Sequence, residues 1–371
     1  MIICHMTSAH DSDDIRILKK QCVSLAKNKE NKVFLVAKGD SYEYKNVQIV
    51  GIGVQQGGRL NRMLNVRRAV YEKALSLDAD IYQFHDPELL PYAKKLKKRG
   101  KKVIFDSHEN YKEQIMQKGY IPKPLRGIIR TAYSVIESRA CRYLDAVLYP
   151  EDISPYEGIA KECVVIRNTP MLDELEPEIP YEERQEKVCC VGTLSEDRGI
   201  RVLMRACYKA GIQLVLGGRF SPPSFEDSLR SEDAFEIVDY RGKCDSQQVN
   251  DIYNECMVGA DNILAVGQYP YVKTLSTKVY EYMIMKMPYF TSDFYFNKEI
   301  IDQYQCGIYM DPEDVDAVAG AVRLLIDNKE KSRIMGENGR KLVEEKFNWS
   351  VDEKRLFELY ERLYREKTGE R

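Results

Sequence analysis

Short apolar runs alternate with amphipathic stretches along this chain of 371 residues, and the alternation starts again after Asn168. The apolar runs have the length of β-strands, and the stretches between them carry apolar residues at helical spacing. Strands that alternate with helices form a parallel sheet with helices on both faces. The second start therefore predicts an α/β protein with two Rossmann-like, doubly wound domains and a ligand cleft between them.

The predicted elements divide between the two halves of the chain. In the first half we predict strands at 2–6, 32–37, 47–52, 81–84, 102–105, 146–149 and 163–166. The helices of this half are predicted at 14–28, 62–77, 89–99 and 127–142. In the second half the predicted strands are 188–191, 213–216, 235–240, 262–266 and 289–291. The predicted helices are 199–210, 246–255, 278–285, 315–327, 331–346 and 350–367, and the proline-bearing segment 169–186 is interpreted as a linker.

The composition is that of an ordinary globular protein. Hydrophobic residues make up 44% of the chain, charged residues make up 31%, and the formal net charge is −2, which argues against wholesale disorder. No apolar run approaches the roughly 20 residues of a membrane span, and the first ten residues are too polar for a secretory signal. The ten cysteines are scattered, with no CxxC pair. We therefore expect reduced thiols, a cytoplasmic protein and no nucleic-acid partner.

Positive charge is concentrated in the first half. Residues 1–167 carry 29 Lys and Arg against 20 Asp and Glu, whereas residues 168–371 carry 27 against 38. The basic run at 94–102 is either the solvated face of a helix or a surface that rests on anionic lipid headgroups.

The segment 273–288 is the most informative of the second half. A small polar run precedes a predicted helix, so that Ser276 or Thr277 is a plausible N-cap and the free N–H groups form an anion site. Lys278 in the first turn has the wrong sign for the helix dipole, which is tolerable if an anion binds there. Glu281, one turn further on, can accept hydrogen bonds from a diol. The alternative is a capped amphipathic helix with a solvated glutamate.

Other polar residues also follow predicted strands, where ligands bind to open α/β sheets. Gly192 would let a ligand approach the backbone, and Arg198 could bind a phosphate through two hydrogen bonds, although any strand-to-helix loop can hold such residues. In the first half, His10, His85 and His108 stand at predicted strand ends. His108 has acidic neighbours, and its alternative role is that of a structural hydrogen-bonding group.

Several kinds of site are excluded or disfavoured by the motifs that the sequence lacks. A GxGxxG after a strand, a GxxxxGK[ST], a GxSxG and an HExxH are all absent. Three DxD pairs occur, at Asp11 and Asp13, at Asp78 and Asp80, and at Asp314 and Asp316. None of them follows a strand beside the expected anion site, and Asp314 and Asp316 suit the start of a helix. We therefore expect no metal site.

Taken together and in order, the motifs resemble those of the retaining family 4 glycosyltransferases with the GT-B fold, in a bacterial surface-polysaccharide branch. The resemblance covers nearly the whole chain. It rests on an H-x-x-x-D-x-R-I opening at 10–17, HDPELLP at 85–91, DSHE at 106–109, VIRNTP at 165–170, VGTLSEDRGI at 191–200, STKVYEYMIMKMP at 276–288 and GENGRKLVEEKFNWS at 336–350. It implies an acceptor-binding domain at 1–167, a nucleotide-sugar-binding domain at 168–349, and a C-terminal helix at 350–371 that crosses back to the first domain.

The resemblance also implies a role for each matching residue. Glu281 would bind the ribose hydroxyls, Arg198 and Lys278 would contact the diphosphate, and His108 would face the transferred sugar. The residues implied in donor binding are Gly192, Thr193, Arg198, Gly217, Arg241, Gly242, Ser276, Thr277, Lys278 and Glu281. Those implied in catalysis are His108, Arg198, Lys278 and Glu281. Those implied on the acceptor side are His10, Asp14, Arg16, His85, Asp86 and Glu109.

Three positions depart from the family pattern. Thr193 stands where many members have a second phosphate-binding arginine, and Lys273 stands where the E-x7-E motif has its first glutamate. Lys286 and Met287 fill the stretch before Pro288, where glycine is common.

The implied activity is transfer of a sugar from a nucleoside-diphosphate sugar, a UDP-sugar rather than a GDP-sugar, to a hydroxyl acceptor with retention. The implied setting is capsule, exopolysaccharide or O-antigen synthesis, with a lipid-linked glycan acceptor, no cofactor, and peripheral contact with the anionic inner face of the plasma membrane. Two alternatives stay open: a sugar-nucleotide epimerase of the same fold, which needs no acceptor, and a non-catalytic protein that binds sugar nucleotides.

Overall fold

The computed structural model describes residues 1–53, 62–107, 111, 115–116, 122–150 and 156–369. The chain forms two compact units, one made of Met1–Asn168 with Ser350–Arg371 and the other of Thr169–Trp349. None of the helices in the described ranges is long and apolar enough to cross a membrane.

The first unit is built on an eight-stranded sheet in the order β3-β4-β2-β1-β5-β6-β7-β8. Its strands are β1 (Ile2–Met6), β2 (Lys32–Ala37), β3 (Tyr42–Tyr44), β4 (Val47–Gly51), β5 (Ile81–Phe84), β6 (Lys102–Asp106), β7 (Ala146–Tyr149) and β8 (Cys163–Val165). All neighbouring pairs are parallel except β3 with β4, which are antiparallel. Every side chain of β5 and β7 is buried, as expected for central strands that helices cover on both faces.

The helices of this unit follow the predicted segments with shifted ends. Helix α1 has a π-type first part, Ile15–Cys22, and a last turn, Val23–Ala26, and α2 likewise runs through Arg62–Val66 and Arg67–Leu75. Helix α3 (Ala93–Lys97) follows a 3₁₀ segment at Pro87–Tyr92, and α4 spans Lys123–Cys141. The last helix, α12 (Trp349–Thr368), packs in this unit, where Tyr360 contacts His5 of β1. The predicted return of the C-terminal helix to the first domain is therefore confirmed.

The second unit contains a six-stranded parallel sheet in the order β11-β10-β9-β12-β13-β14. Its strands are β9 (Gln185–Leu194), β10 (Gln213–Phe220), β11 (Val238–Tyr240), β12 (Cys256–Asp261), β13 (Tyr289–Ser292) and β14 (Gly307–Met310). Its helices are α5 (Ile200–Ala210), α6 (Ser224–Arg230), α7 (Ser246–Glu255), α8 (Thr277–Ile284), α9 (Tyr295–Tyr304), α10 (Val315–Asp327) and α11 (Lys329–Glu345). The predicted doubly wound α/β class is therefore correct for both units.

Two strand predictions in this unit were wrong. The run 262–266 is not a strand, because the strand is β12 and ends at Asp261. The first half of the predicted strand 235–240 belongs to a 3₁₀ segment, Asp233–Ile237, and only Val238–Tyr240 pairs with β10. The prediction also lacked α6, α9, β3 and β14.

Candidate functional site

Helix α8 begins directly after Ser276, and its N-terminus carries the predicted anion site. Val279, Tyr280 and Met283 are at most 2% exposed, so the apolar face of the helix is fixed in the core of the second unit. Ser276 occupies the N-cap position, but its hydroxyl makes no cap hydrogen bond and has no partner among the described residues although it is buried. Buried polar atoms almost always have a partner. The start of α8 therefore offers an unused hydroxyl beside the unpaired backbone N–H groups of a first helical turn.

Lys278 in that first turn is held by a carboxylate of the protein itself. Its Nζ lies 3.0 Å from Oδ1 of Asp261, whose Oδ2 accepts a hydrogen bond from Thr291. Burial by itself would lower the pKa of the Lys278 ammonium, but the Asp261 carboxylate outweighs it and raises that pKa. From the sequence, Lys278 was expected to be tolerable in the first turn if an anion binds there. Asp261, the last residue of β12, supplies one within the chain and fixes the position of the cation.

Arg198 provides a second cation near this helix. Its guanidinium lies over the ring of Tyr269, 4.9 Å from the centroid, and has no carboxylate partner among the described residues. Its positive charge acts against the protonation of Lys278, so the two cations lie within electrostatic range of each other. Two neighbouring cations, only one of them paired, favour a ligand with more than one negative charge.

Gly199 explains how the loop that carries Arg198 approaches the end of β12. Its φ is +64°, and a Cβ there would lie 1.9 Å from the carbonyl oxygen of Asn262. The Asn262 amide in turn donates hydrogen bonds to the carbonyl oxygens of Gly199 and Pro312. This position therefore requires glycine, because both the left-handed conformation and the contact exclude a side chain.

Glu281 lies one turn into α8, as predicted, and is held in place from α7. The Tyr253 hydroxyl donates a hydrogen bond of 2.6 Å to its Oε2. Burial, and secondarily the charge of Glu281, raises the pKa of the Tyr253 phenol well above its usual value, so Tyr253 stays a donor. The glutamate carboxylate is thus presented in a fixed orientation one turn from the cations.

Four glycines meet near the ends of β9, β10 and β11, and three of them, Gly192, Gly217 and Gly242, were predicted to bind the donor. Gly192 and Gly218 are paired across β9 and β10 with φ near +130°, and a Cβ on Gly218 would lie 1.8 Å from the Gly192 carbonyl oxygen. The Gly218 N–H donates to the carbonyl oxygen of Gly242 over 2.6 Å. A Cβ on Gly192 would meet nothing within 4 Å, so the backbone there is open to a ligand. Gly217, beside this group, is buried against Cys244.

Arg241 is engaged within the protein. Its guanidinium donates two hydrogen bonds to Asp239, at 2.8 and 2.6 Å, and lies 3.1 Å from Glu255. Thr193 and Thr277 are exposed at the strand and helix ends where they were predicted. The roles of these three residues beside a nucleotide stay predictions.

In the first unit, His10 and Asp14 remain accessible. His10 Nδ1 lies 3.3 Å from Asp14 and its Nε2 lies 3.5 Å from Asp86. Burial would raise the pKa of Asp14, but hydrogen bonds from His10 and from the Ile17 N–H lower it to about 2. Asp86 accepts hydrogen bonds from the Ser8 and Ala9 N–H groups, so it shapes the loop after β1.

Three predicted acceptor-side residues are buried and do not offer a direct contact. Asp86 is 1% exposed, His85 is fully buried, and Arg16 is 7% exposed. Arg16 forms a bidentate pair with Asp106, with its Nε and Nη2 atoms 3.0 and 2.7 Å from the two carboxylate oxygens. The side chains of these residues are therefore engaged within the first unit, and their acceptor-side role stays a prediction. His108 and Glu109 lie outside the described residues.

A closed ring of buried polar side chains, which the sequence analysis missed, surrounds this pair. Asp106 accepts from Gln21, Gln21 accepts from Gln83, and Gln83 accepts from the Tyr360 hydroxyl. The Tyr360 hydroxyl lies 3.1 Å from His5, His5 Nδ1 lies 2.9 Å from His85 Nε2, and His85 Nδ1 lies 3.2 Å from Asp106. The ring ties α1, β1, β5, β6 and α12 together. Its signal in the sequence was a polar residue inside otherwise apolar strands, which costs free energy unless it is paired.

Two of the three DxD pairs, one in each unit, have structural roles. Asp314 caps α10 by accepting hydrogen bonds from the Asp316 and Ala317 N–H groups. Asp78 and Asp80 pair with Lys101 and Lys367. Within the described ranges, no three His, Cys, Asp or Glu side chains cluster as a metal site would require.

Comparisons with known proteins also point to a glycosyltransferase domain in the second unit. Residues 173–342 match the family model described as "Glycosyl transferases group 1". No curated protein sequence gives a significant match.

Among solved structures, the chain resembles sucrose-phosphate synthase from Thermosynechococcus elongatus, with a TM-score of 0.74 at 16% identity over 98% of this chain and 99% of that one. It also resembles Anabaena Alr3699/HepE in complex with UDP and glucose, with a TM-score of 0.72 at 12% identity over 98% and 100%. For α,α-trehalose 6-phosphate synthase from Burkholderia multivorans, the TM-score is 0.66 at 12% identity over 100% and 99%. At these identities the likeness is one of fold. It confirms the predicted GT-B architecture of two Rossmann-like domains and, with the family match, supports a glycosyltransferase.

Proposed function

We propose that this protein transfers a sugar from a nucleoside-diphosphate sugar to a hydroxyl acceptor with retention of anomeric configuration, as in family 4. The observation that carries the proposal is the start of α8, where unpaired N–H groups, the unused Ser276 hydroxyl, Lys278 and Arg198 adjoin a fixed Glu281 carboxylate. These groups match the charge pattern of such a donor, because a diphosphate needs cations and N–H donors and a ribose diol needs an acceptor.

The reaction needs most help where negative charge develops on the departing diphosphate. One pre-aligned donor at such a position is typically worth about 3–4 kcal/mol of barrier. Lys278 is held in place by Asp261 and Arg198 by Tyr269, so neither side chain has to reorganise as the bond breaks. In the proposed route, the acceptor attacks from the face that the diphosphate leaves, and the leaving phosphate helps to remove the acceptor proton.

The donor is proposed to be a UDP-sugar rather than a GDP-sugar. Structures of Anabaena Alr3699/HepE in complex with UDP and glucose and with UDP-glucose support this choice. The acceptor is proposed to be a lipid-linked glycan of a bacterial surface polysaccharide, bound by the first unit, where His10 and Asp14 remain accessible. His108 and Glu109 are proposed to complete that side, and the protein is proposed to work in the cytoplasm without a metal cofactor.

A thermal-stability screen of UDP-, GDP- and dTDP-sugars tests the proposed donor class. At a free concentration 100 times its Kd, the cognate donor should add about 2.7 kcal/mol to the free energy of unfolding. The same rise is expected in EDTA and in Mg²⁺, because the proposed phosphate ligands are protein cations and N–H groups. Stabilisation by no member of the panel would contradict the proposal, and stabilisation only with Mg²⁺ would contradict its metal-free form.

A further inference from the structure

A cavity of about 270 Å³ lies in the second unit, at the end of the sheet away from the proposed donor site. Of its lining residues, Arg184 comes directly before β9 and Lys286 comes just after α8. Gly192 and Ser276, which belong to the proposed donor site, stand near the opposite ends of the same two elements. A helix of eight residues is about 12 Å long, so the cavity is a separate site.

Arg184 lines the cavity although it is only 5% exposed. Its Nε donates a hydrogen bond to the Ile179 carbonyl oxygen over 3.3 Å, and its Nη2 donates to that of Met285 over 2.8 Å. Its Nη1 is also buried, but that atom has no hydrogen-bond partner among the described residues. Burial lowers the pKa of the guanidinium. Because a buried donor without a partner is destabilising, a ligand that pairs this group would bind favourably.

Capping of α8 explains only part of Arg184. Its bond to the Met285 carbonyl oxygen places the cation at the C-terminus of α8, where the helix dipole favours it. Arg340 acts in the same way, because its Nη1 donates to the Ile284 carbonyl oxygen over 2.7 Å, and it does not line the cavity. The end of α8 therefore has a second arginine, and the unused N–H groups of Arg184 are left for a different partner.

Lys286 adds a second cation to the lining of the cavity. Its φ is +52°, a left-handed conformation in which glycine would be less strained. Helix α11 packs against its backbone, since a Cβ on Gly336 would lie 2.1 Å from the Lys286 carbonyl oxygen. The Lys286 side chain is exposed, and its ammonium has no ion-pair partner in the part of the chain that the structure describes.

The third lining cation and the lining carboxylates have partners within the protein. Arg333 lies 2.6 Å from Glu337 and 3.6 Å from Glu182. Glu178 accepts a hydrogen bond of 3.2 Å from the side-chain amide of Asn250. Each carboxylate has about four acceptor positions, so these glutamates can accept further hydrogen bonds from a ligand. The cavity thus combines two unpaired cations with several hydrogen-bond acceptors.

The size of the cavity indicates a small molecule. At about 30 Å³ for each water of the liquid, 270 Å³ is the volume of about nine waters. An orthophosphate ion alone would leave much of this space unfilled. A molecule of about ten non-hydrogen atoms, the size of glycerol 3-phosphate, fits it better.

We propose that the cavity binds a small phosphate monoester that carries hydroxyl groups, with its phosphate on Arg184 and Lys286 and its hydroxyls on the lining carboxylates. An arginine fork suits a phosphate, and carboxylate oxygens accept hydrogen bonds from hydroxyls. The lining carries three cations and three carboxylates, so binding depends on pairing the two unpaired cations rather than on excess positive charge. The site depends neither on sugar transfer nor on the donor.

Isothermal titration calorimetry on the full chain, with glycerol 3-phosphate as the probe, tests the site. The wild type should bind glycerol 3-phosphate, bind orthophosphate more weakly, and show no binding of glycerol. Lys286→Gly should weaken binding of glycerol 3-phosphate about tenfold, because a charge-assisted hydrogen bond is lost. The fold should be retained, because glycine suits the φ of +52°. The matched control Lys45→Gly changes an exposed lysine with a φ of +46° in the first unit and should bind as the wild type does.

Arginine variants separate the cavity from the helix cap and from the donor site. Arg184→Gln should weaken binding of glycerol 3-phosphate by about tenfold or more. Arg340→Gln, which also removes a cap of α8, should bind as the wild type does. Arg198→Ala should leave binding unchanged, because Arg198 belongs to the proposed donor site. If Arg184→Gln does not fold, the comparison of Lys286→Gly with Lys45→Gly decides.

Four results would overturn the proposal. The first is no binding of glycerol 3-phosphate to the wild type, and the second is equal binding by Lys286→Gly and Lys45→Gly. The third is a loss of binding in Arg198→Ala that Lys286→Gly does not share, which would place the phosphate at the donor site. The fourth is tighter binding of serine than of glycerol 3-phosphate, which would make the ligand a zwitterion. These titrations contain no sugar nucleotide, so they and the donor screen give separate readings.

Discussion

Arg16→Met is expected to destabilise the first unit by about 3–5 kcal/mol, because it leaves the Asp106 carboxylate buried without its cation. Asp106 is fully buried, and its two carboxylate oxygens accept the bidentate hydrogen bonds of Arg16. Burial would raise the pKa of Asp106, but Arg16, with His85, holds that pKa well below its usual range. Equilibrium urea unfolding followed by circular dichroism measures the loss, with separate transitions allowed for the two units.

Two further variants isolate the buried charge as the cause. Arg68→Met removes an exposed arginine that pairs with Glu72 within α2, and it should leave the unfolding curve nearly unchanged. Arg16→Met/Asp106→Asn removes the stranded negative charge and should recover part of the stability. If Arg16→Met costs no more than Arg68→Met, the pair does not hold this unit together.

Glu281→Ala is expected to weaken binding of the cognate donor by about 1.5–3 kcal/mol, the value of a hydrogen bond to a charged group. Glu281 is proposed to accept the hydrogen bonds of the ribose diol, one turn beyond Lys278. Isothermal titration calorimetry of donor into each variant gives the change in Kd. The fold should be unaffected, because the apolar residues that fix α8 are not touched.

Tyr253→Phe is the matched control for Glu281→Ala. It removes the 2.6 Å hydrogen bond to Glu281 but leaves the carboxylate in place. If the glutamate binds the donor, Tyr253→Phe should weaken binding much less than Glu281→Ala. Equal losses would instead mean that the pair serves the packing of α7 on α8, and an unchanged Kd in Glu281→Ala would remove the ribose assignment.

The strands that were predicted correctly are those whose local sequence agrees with their place in the sheet. Every residue of β5 is apolar or paired, and its ends are where the apolar run predicts them. Strand β12 lacks this agreement between local sequence and position. Gly259 and the terminal Asp261 give it weak strand propensity, whereas the following run, 262–266, has a stronger strand propensity. The structure shows why Gly259 is there: a Cβ would lie 2.5 Å from the ring of Tyr282. Packing between β12 and α8, invisible in the local sequence, decides the strand.

The positions of the residues that we propose for donor binding were easier to predict than the buried network. Lys278, Glu281 and Arg198 follow strands or begin helices, so sequence position alone brings them to the end of one sheet. The partners that fix them, Asp261 and Tyr253, come from elsewhere in the fold. Lys286 is another feature that the local sequence does not explain. Its φ is +52°, a left-handed conformation that favours glycine, and this is visible only in the backbone of the folded chain.

Hydrogen exchange read by mass spectrometry tests most directly the central claim that the donor diphosphate binds at the start of α8. Adding the cognate donor should slow exchange in peptides covering 274–282 and 191–199, because ligand oxygens would pair the free N–H groups there. Peptides covering α6 (Ser224–Arg230) should exchange as before. Protection at 274–282 confined to the bound state is the predicted result. Donor binding that leaves 274–282 unprotected would contradict the account.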